Sequence, residues 1–400
     1  MSSGNRPNEA DAAGSQKVTG QSSTTRFNIC HVVSGDRWAG AEVQVAALLK
    51  YLKRHDDVNL SAVLLNPGRL ADEISHCGIE LKVLPERSHS FRSILSEATR
   101  FFHGRSIHVL HSHRYKENLL AALLARRCGI PVVVRTQHGL PEPQRGVRRL
   151  KQTLLQSLDH LVARWSTDRV VSVSSEMTTF LSRRLAPGKV VTIFNGIDLE
   201  NVRSELGPQD ARERLGIPVN YRVIGTAGRL EPIKRLDLFL EMARRIRDRR
   251  SNVRFVVAGE GREESRLRAL AVKLGIQNDV LLLGHRDDVF DVLRALDIMV
   301  LSSDHEGMPM VLLEAMALEV HVVARAVGGI PEVIEQGVSG VLVNSSDPTA
   351  LADSCLKALD DREQSRQMTE AAKRKVQEQF SAERTAGEVR LLYNSLVNHS

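Results

Sequence analysis

Short apolar segments alternating with stretches long enough for a helix constrain this 400-residue chain most. The segments are 27–33, 60–65, 81–84, 107–111, 132–135, 169–173 and 190–194. A second series follows at 223–227, 253–258, 280–283, 297–301, 320–324 and 341–343. Most are short and rich in Val, Ile and Leu, as strands buried on both faces are, and the intervening segments are amphipathic. This is the pattern of parallel sheets covered by helices. Between the series lie Gly207-Pro208, a charged stretch at 209–215, and Ile217-Pro218. The chain therefore reads as an α/β protein with two Rossmann-like parallel-sheet domains facing a cleft. Their expected spans are 26–198 and 221–381, joined by a linker at 199–220. Residues 382–400 read as a last helix with no strand after it. Ligands in such sheets bind beyond the carboxyl ends of the strands, so the cleft is the expected site.

One segment carries most of the chemistry: SSDHEGMPMVLLEAMALEVHVVARAVGGIPEVI, residues 302–334. The strand 297–301 feeds into it. Pro309 fits a first helical turn, where a missing N–H costs nothing. The free N–H groups of that turn, with the helix dipole, suit a phosphate. Glu306 falls at the rim of that site and Glu314 inside the helix. An anion hole with two hydrogen-bond acceptors suits a nucleotide-sugar.

The strings Glu306-Gly307-Met308-Pro309, Leu313-Glu314-Ala315-Met316-Ala317 and Val327-Gly328-Gly329-Ile330-Pro331-Glu332 resemble the signature of the family 4 retaining glycosyltransferases. The resemblance runs from about Asn28 to about Phe380 and is strongest beyond Asn195. It implies the GT-B fold, a final helix that packs back across the first domain, and a nucleotide-sugar held by the second domain. Glu306 would then hydrogen-bond the donor sugar and Glu314 the nucleotide ribose, with Gly307, Met308 and Pro309 against the donor. After Ala317 the family usually has x-G-x-P, but here stands Leu318-Glu319-Val320-His321. A glycine there would take the left-handed conformation, so Glu319 is expected to be strained. An ion pair between Glu319 and His321 is the alternative.

The loop Gly228-Arg229-Leu230-Glu231-Pro232-Ile233-Lys234-Arg235 leaves a strand and opens a helix. Arg229 and Lys234 can both turn toward one anion, the Arg bidentately and the Lys as a point charge. The pair also matches the family's G-R-x-x-x-x-K, whose Arg and Lys hold the donor diphosphate. Glycine usually follows that Lys; here it is Arg235. Gly259 and Gly261 flank a turn after the next strand. As a dinucleotide fingerprint this turn lacks its third glycine, with Glu264 in its place. The resemblance implies that it lines the nucleotide cleft, and that His285 and Arg286 lie where the family reads the base. A surface loop would equally account for His285.

The first domain should hold the acceptor. Gly35, Gly40 and Glu42 lie where strand one turns into a helix, and glycines admit close backbone approach; a tight turn alone would also explain them. His111-Ser112-His113 ends a strand. Side chains alternate along a strand, and the two histidines are read as pointing opposite ways, which makes a zinc site improbable. In the family the second histidine, here His113, faces donor sugar or acceptor. A histidine simply bonded to backbone is the plainer reading. His138 ends the next strand and joins the same wall. Asn195-Gly196-Ile197-Asp198 matches a family turn at the hinge.

Composition narrows the class. No apolar run is long enough to span a bilayer. Residues 1–25 are rich in Ser, Gly, Thr and Asn, which reads as a disordered lead-in and not a signal peptide. The four cysteines are scattered without metal-ligand spacing, consistent with reduced thiols and a cytoplasmic location. Net charge is +7, with a local excess at 145–169 beginning Arg145, Arg148, Arg149 and Lys151. Leu150, Leu154, Leu155, Leu158 and Leu161 recur there at helical spacing. This is either a core-facing helix with a solvated basic side or a patch for anionic lipid at the inner face of the membrane. Aromatics are only 4 % and no nucleic-acid module occurs, which argues against nucleic acid.

The chemistry implied is transfer of a sugar to a glycan or lipid-linked acceptor in cell-surface polysaccharide or lipopolysaccharide assembly, with Arg229, Lys234, Glu306 and His113 in catalytic positions. Charge on the leaving phosphate would meet Arg229, Lys234 and the helix N-terminus. No D-x-D pair occurs in the chain, so neither a metal nor another cofactor is expected. A GT-B epimerase, a phosphorylase or a non-catalytic GT-B adaptor are the alternatives.

Overall fold

The computed structural model describes residues 26–36, 38–139, 157 and 159–399. All the expected strands form. The first sheet comprises β1 (Phe27–Val33), β2 (Val58–Leu64), β3 (Glu80–Val83), β4 (Val109–Ser112), β5 (Val132–Gln137), β6 (Arg169–Ser172) and β7 (Val190–Thr192), in the order β3-β2-β1-β4-β5-β6-β7. The second comprises β8 (Arg222–Ala227), β9 (Val253–Ala258), β10 (Val280–Gly284), β11 (Ile298–Leu301), β12 (His321–Arg325) and β13 (Val341–Val343), ordered β10-β9-β8-β11-β12-β13. Every pairing within the sheets is parallel. The central strands are buried because helices cover both faces of each sheet, as the unbroken Val/Ile/Leu runs require. Strand order reverses beside β1 and β8, so the loops after β1, β4, β8 and β11 open onto the crevice.

One apolar cluster joins the domains: Val173, Met177 and Ile197 pack with Met308, Met310 and Leu313. The chain crosses between domains twice, and the crossings are stitched together. Ile197 N–H donates to the Phe380 carbonyl and Ala382 N–H to the Ile197 carbonyl, both at 2.9 Å. A Cβ on Gly196 would lie 2.2 Å from the Ser381 carbonyl oxygen, so only glycine fits there. The expected hinge turn is thus a clasp. Asp198 anchors it by accepting from Lys50 at 2.6 Å and Tyr51 at 3.0 Å. The last helix, Ala382–Val397, lies against the first-domain helix Gly40–Leu52. Arg390 pairs with Asp57 at 2.6 Å to hold it.

Several expectations need correction. The linker expected at 199–220 holds a helix, Pro208–Arg214, and Arg212 donates to the Ala295 carbonyl at 2.8 Å and pairs with Asp297 at 3.0 Å. That part of the linker belongs to the second domain. Pro309 is not in the first turn: it is the N-cap, with extended backbone, of the helix Met310–Ala317. The disordered lead-in at 1–25 and most of the basic region 145–169 lie outside the described residues. Leu161, placed on a core-facing stripe, is 55 % exposed.

Two of the places where the family's glycine is replaced are the two non-glycine residues with positive φ among the described residues: Arg235 at 48° and Glu319 at 60°. They are compensated differently. Arg235 is held by Asp237 at 3.1 Å and Asp304 at 3.2 Å. Glu319 does not pair with His321; it meets Lys373 at 3.3 Å, and both side chains are 39 % exposed. An exposed pair of this kind contributes about 0–1 kcal/mol, while the left-handed backbone costs about 1–2 kcal/mol. Glu319→Gly should therefore raise the melting temperature by about 2 °C. A calorimetric scan showing a lower melting temperature would contradict this balance.

Candidate active site

The expected site residues converge because each sits at the carboxyl end of a strand. Arg229 follows β8, Gly259 and Gly261 follow β9, His285 and Arg286 follow β10, and Glu306 follows β11. From the facing sheet, Gly35 follows β1, His113 follows β4 and His138 follows β5.

The second-domain half is built by loops that touch through glycine. A Cβ on Gly259 would lie 1.9 Å from the Gly228 carbonyl oxygen, and one on Gly261 would lie 2.4 Å from that of Leu230. These glycines hold the Arg229 loop by close approach, with Leu230 N–H donating to the Glu260 carbonyl at 2.9 Å. Arg229 and Lys234 line one pocket with Ser302 and Ser303. Lys234 Nζ donates to Glu306 Oε1 at 2.6 Å, and Ser303 Oγ donates to the same oxygen at 2.5 Å. Glu306 is buried and lies behind Lys234 and Ser303, which line the pocket. Glu314 is buried on the adjoining helix, and loss of water alone pushes its carboxyl up to about 7. The Arg286 guanidinium is engaged by Asp288, while half-exposed His285 lies 3.6 Å from Asp287.

The domains meet at Gly307. A Cβ there would lie 2.4 Å from the His138 carbonyl oxygen. On its other side, Cβ atoms on Gly328 and Gly329 would lie 1.8 Å and 2.0 Å from the Glu306 and Gly307 carbonyl oxygens. Asn195 Nδ2 donates to the Met308 carbonyl at 3.3 Å. Gly40 faces Met310, with a Cβ 3.6 Å from its Cγ. Glu332 reaches across to cap the first-domain helix Ser175–Ser182, accepting from Ser175 N–H at 2.8 Å and its hydroxyl at 2.6 Å. At the far rim Arg69 bridges to Asp287 at 3.4 Å.

In the first-domain half, Gly35 takes φ 72°. Glu42 is buried and binds Arg114, which also meets Asp36 at 3.4 Å. Burial raises the Glu42 pKa, and Arg114 opposes that rise. The opposite-faces reading of the histidines is wrong. His111 and His113 are two positions apart, hence on one face, and their rings stack at 4.6 Å between centroids. His31, the partner of His111 in the β1–β4 register, joins them. These three bring one ring nitrogen each within 4.8 Å of one another, so strand geometry does not argue against a metal. His113 Nδ1 lies 3.1 Å from His138 Nε2. His31, Thr136 and Tyr393, which sequence reasoning missed, complete the cluster. Only the register of β1 on β4 would have pointed to His31.

Burial holds all four histidines neutral: His31 and His138 fall to about 3, and His111 and His113 well below the ordinary value. In the unfolded chain they protonate below about pH 6.5, so the unfolded state gains protons there and stability falls on acidification. Glu117 and Glu314, both raised to about 7 by burial, act oppositely, binding protons in the folded state. His160 and His321, also lowered by burial, add to the histidine side, and Glu42, raised by burial, adds to the carboxyl side. The histidines outweigh the carboxyls, so unfolding near pH 5.5 should take up protons and stability should fall by about 3 kcal/mol from pH 6 to pH 5. Denaturant titrations that show no loss over that interval would contradict neutral buried rings.

Known proteins share both halves. Residues 38–201 match the model "Glycosyltransferase Family 4" and residues 208–375 match "Glycosyl transferases group 1". The chain is 31 % identical to a D-inositol 3-phosphate glycosyltransferase of Corynebacterium urealyticum, over 80 % of this chain and 78 % of that one. It is 29 % identical to the N-acetyl-alpha-D-glucosaminyl L-malate synthase of Bacillus anthracis, over 76 % and 79 %. It is 28 % identical to an Escherichia coli UDP-Gal:alpha-D-GlcNAc-diphosphoundecaprenol alpha-1,3-galactosyltransferase, over 64 % and 67 %. The crystal structure of Anabaena HepE with UDP and glucose superposes with a TM-score of 0.81 at 20 % identity, covering 92 % of this chain and all of that one.

Proposed function

The chain belongs to the family 4 glycosyltransferases and has the GT-B fold, and from that premise we propose that it moves a sugar from a nucleotide-sugar, a UDP-sugar, to a glycan or lipid-linked acceptor with retention and without a metal ion. The observation that carries this reading is the pocket where Lys234 Nζ meets Glu306 Oε1 at 2.6 Å, with Arg229 on the same wall. A diphosphate entering beside Arg229 and Lys234 finds two cations in place, which is the task a divalent ion performs in other transferases. It competes with Glu306 for Lys234 and leaves Glu306 free to accept from a sugar hydroxyl. Glu314, one helix turn onward, accepts from the ribose.

Among the described residues no side chain is an obvious covalent nucleophile, and the family resemblance implies a same-face substitution. The bond from anomeric carbon to phosphate oxygen breaks as the acceptor oxygen forms its own, and the leaving phosphate takes the acceptor's proton. His113, neutral and buried, faces this chemistry from the first domain. The acceptor of the E. coli relative carries a diphosphoundecaprenol, which supports a lipid-linked acceptor here and a role in surface-polysaccharide assembly at the cytoplasmic side of the membrane. No helix among the described residues is long and apolar enough to cross a membrane.

The test is nucleoside diphosphate release from a panel of sugar nucleotides, with and without chelator, and the anomeric configuration of the product by NMR. Turnover of a UDP-sugar in EDTA, with retention, is expected. Inertness toward every donor would favour an adaptor, and loss of activity in EDTA restored by magnesium would overturn the metal-free mechanism. Glu306→Ala should abolish transfer while nucleoside diphosphate still binds. Glu314→Ala should weaken that binding by about 1–3 kcal/mol.

A further inference from the structure

Four histidines and a tyrosine form one unbranched hydrogen-bonded chain in the wall of the first domain. Thr136 Oγ1 lies 2.8 Å from His111 Nε2. His111 Nδ1 meets the Tyr393 hydroxyl, which is 3.2 Å from His31 Nε2. His31 Nδ1 is 3.0 Å from His113 Nε2, and His113 Nδ1 is 3.1 Å from His138 Nε2. The chain ends at His138 Nδ1, which is buried and has no partner among the described residues. Tyr393 comes from the last helix, far along the sequence, and is fully buried.

A neutral imidazole has one N–H and one lone pair, and a tyrosine hydroxyl has one hydrogen. Each ring's bond direction fixes the next, and two fully bonded arrangements exist in which Tyr393 both accepts and donates. A third, in which its oxygen accepts from both His111 and His31, leaves the buried Tyr393 hydroxyl hydrogen and the His138 ring nitrogen unpaired among the described residues. In the first, Thr136 donates to His111, His111 to Tyr393, Tyr393 to His31, His31 to His113 and His113 to His138. All four rings then carry hydrogen on Nδ1, and one N–H, that of His138, lacks a partner. In the second, every bond reverses. The buried Thr136 hydroxyl hydrogen and the His138 ring nitrogen are then both unpaired among the described residues. Leaving buried polar groups unpaired is costly, so the first arrangement is favoured.

The chain is no conduit for protons. Passing each hydrogen one bond toward His138 would release a proton there and leave Thr136 an alkoxide. Nor do the ring nitrogens stand ready for a metal, since those of His31, His111 and His113 are spent on these bonds and the rings stack with interplanar angles of 15°, 21° and 36°.

We propose that Tyr393, His31 and His111 are positioning residues that hold His113 and His138 in a single neutral tautomer, with hydrogen on Nδ1 of both. The end of the chain at His138 is thereby a buried hydrogen donor with no partner among the described residues, whose acceptor would be an oxygen of a sugar that reaches it on binding. This rests on the transferase reading for the identity of that sugar but not for the tautomers themselves. It also gives the last helix a task in the site: placing one hydroxyl between His31 and His111.

The full chain, labelled with 15N-histidine, tests this by long-range 1H–15N correlation, without substrate. The spectrum should show four rings as neutral Nδ1–H tautomers, unchanged from pH 6 to 8. Tyr393→Phe keeps the ring but removes the link, so His31, His113 and His138 should show mixed tautomers. Thr136→Val should mix them as well, and Thr136→Ser should restore the wild-type spectrum. On the donor found by the sugar-nucleotide panel, Tyr393→Phe should lower kcat about tenfold with KM within twofold. Any of three results would overturn the proposal: an Nε2–H or protonated ring among the four in the wild type at pH 7, an unchanged His113 signal in both chain-breaking variants, or a stoichiometric metal ion bound to the rings. If the spectra behave as stated and no donor is turned over, the transferase reading fails and the chain stands.

Discussion

Backbone contact through Gly307 is what turns two independent sheets into one site. Each domain has its own parallel sheet and its own core. The site needs both, because Arg229, Lys234 and Glu306 lie on one side and His113 and His138 on the other. Where they meet, the His138 carbonyl presses on Gly307, and Gly328 and Gly329 press on the Glu306 and Gly307 carbonyls from behind. A side chain at any of these three glycines would collide with a carbonyl oxygen. The first and last strings of the signature are therefore one mechanical unit. The first places Glu306, and the last, ending in Glu332, backs it and caps a first-domain helix.

Electrostatics inside this frame are local. Lys234 is held by the Glu306 carboxylate, and the Arg235 beside it is fixed by two aspartates despite its left-handed backbone. Across the cleft the histidine rings are neutral because they are buried, so they add no charge to that wall.

The fold was legible in the sequence to a considerable depth. The strands emerged as Val/Ile/Leu runs because both faces of each sheet are covered. Two departures from the family's glycines, Arg235 and Glu319, coincide with the left-handed residues. What sequence reading missed depends on three-dimensional proximity. The stack of His31 on His111 follows from register, and Tyr393 reaches them only because the last helix folds back over the first domain. The roles of Gly259 and Gly307 are contacts between loops distant in sequence, so their spacing revealed glycines but not what they touch. The same-face placement of His111 and His113 was readable from the strand period and was misjudged.

The central claim is that close backbone contact at Gly307 holds the two halves of the site together. Small-angle X-ray scattering of Gly307→Ala beside the wild type tests it most directly. A methyl group 2.4 Å from the His138 carbonyl oxygen should force the domains apart, giving a larger radius of gyration with far-UV circular dichroism unchanged. An unchanged radius of gyration in a folded Gly307→Ala variant would contradict the account.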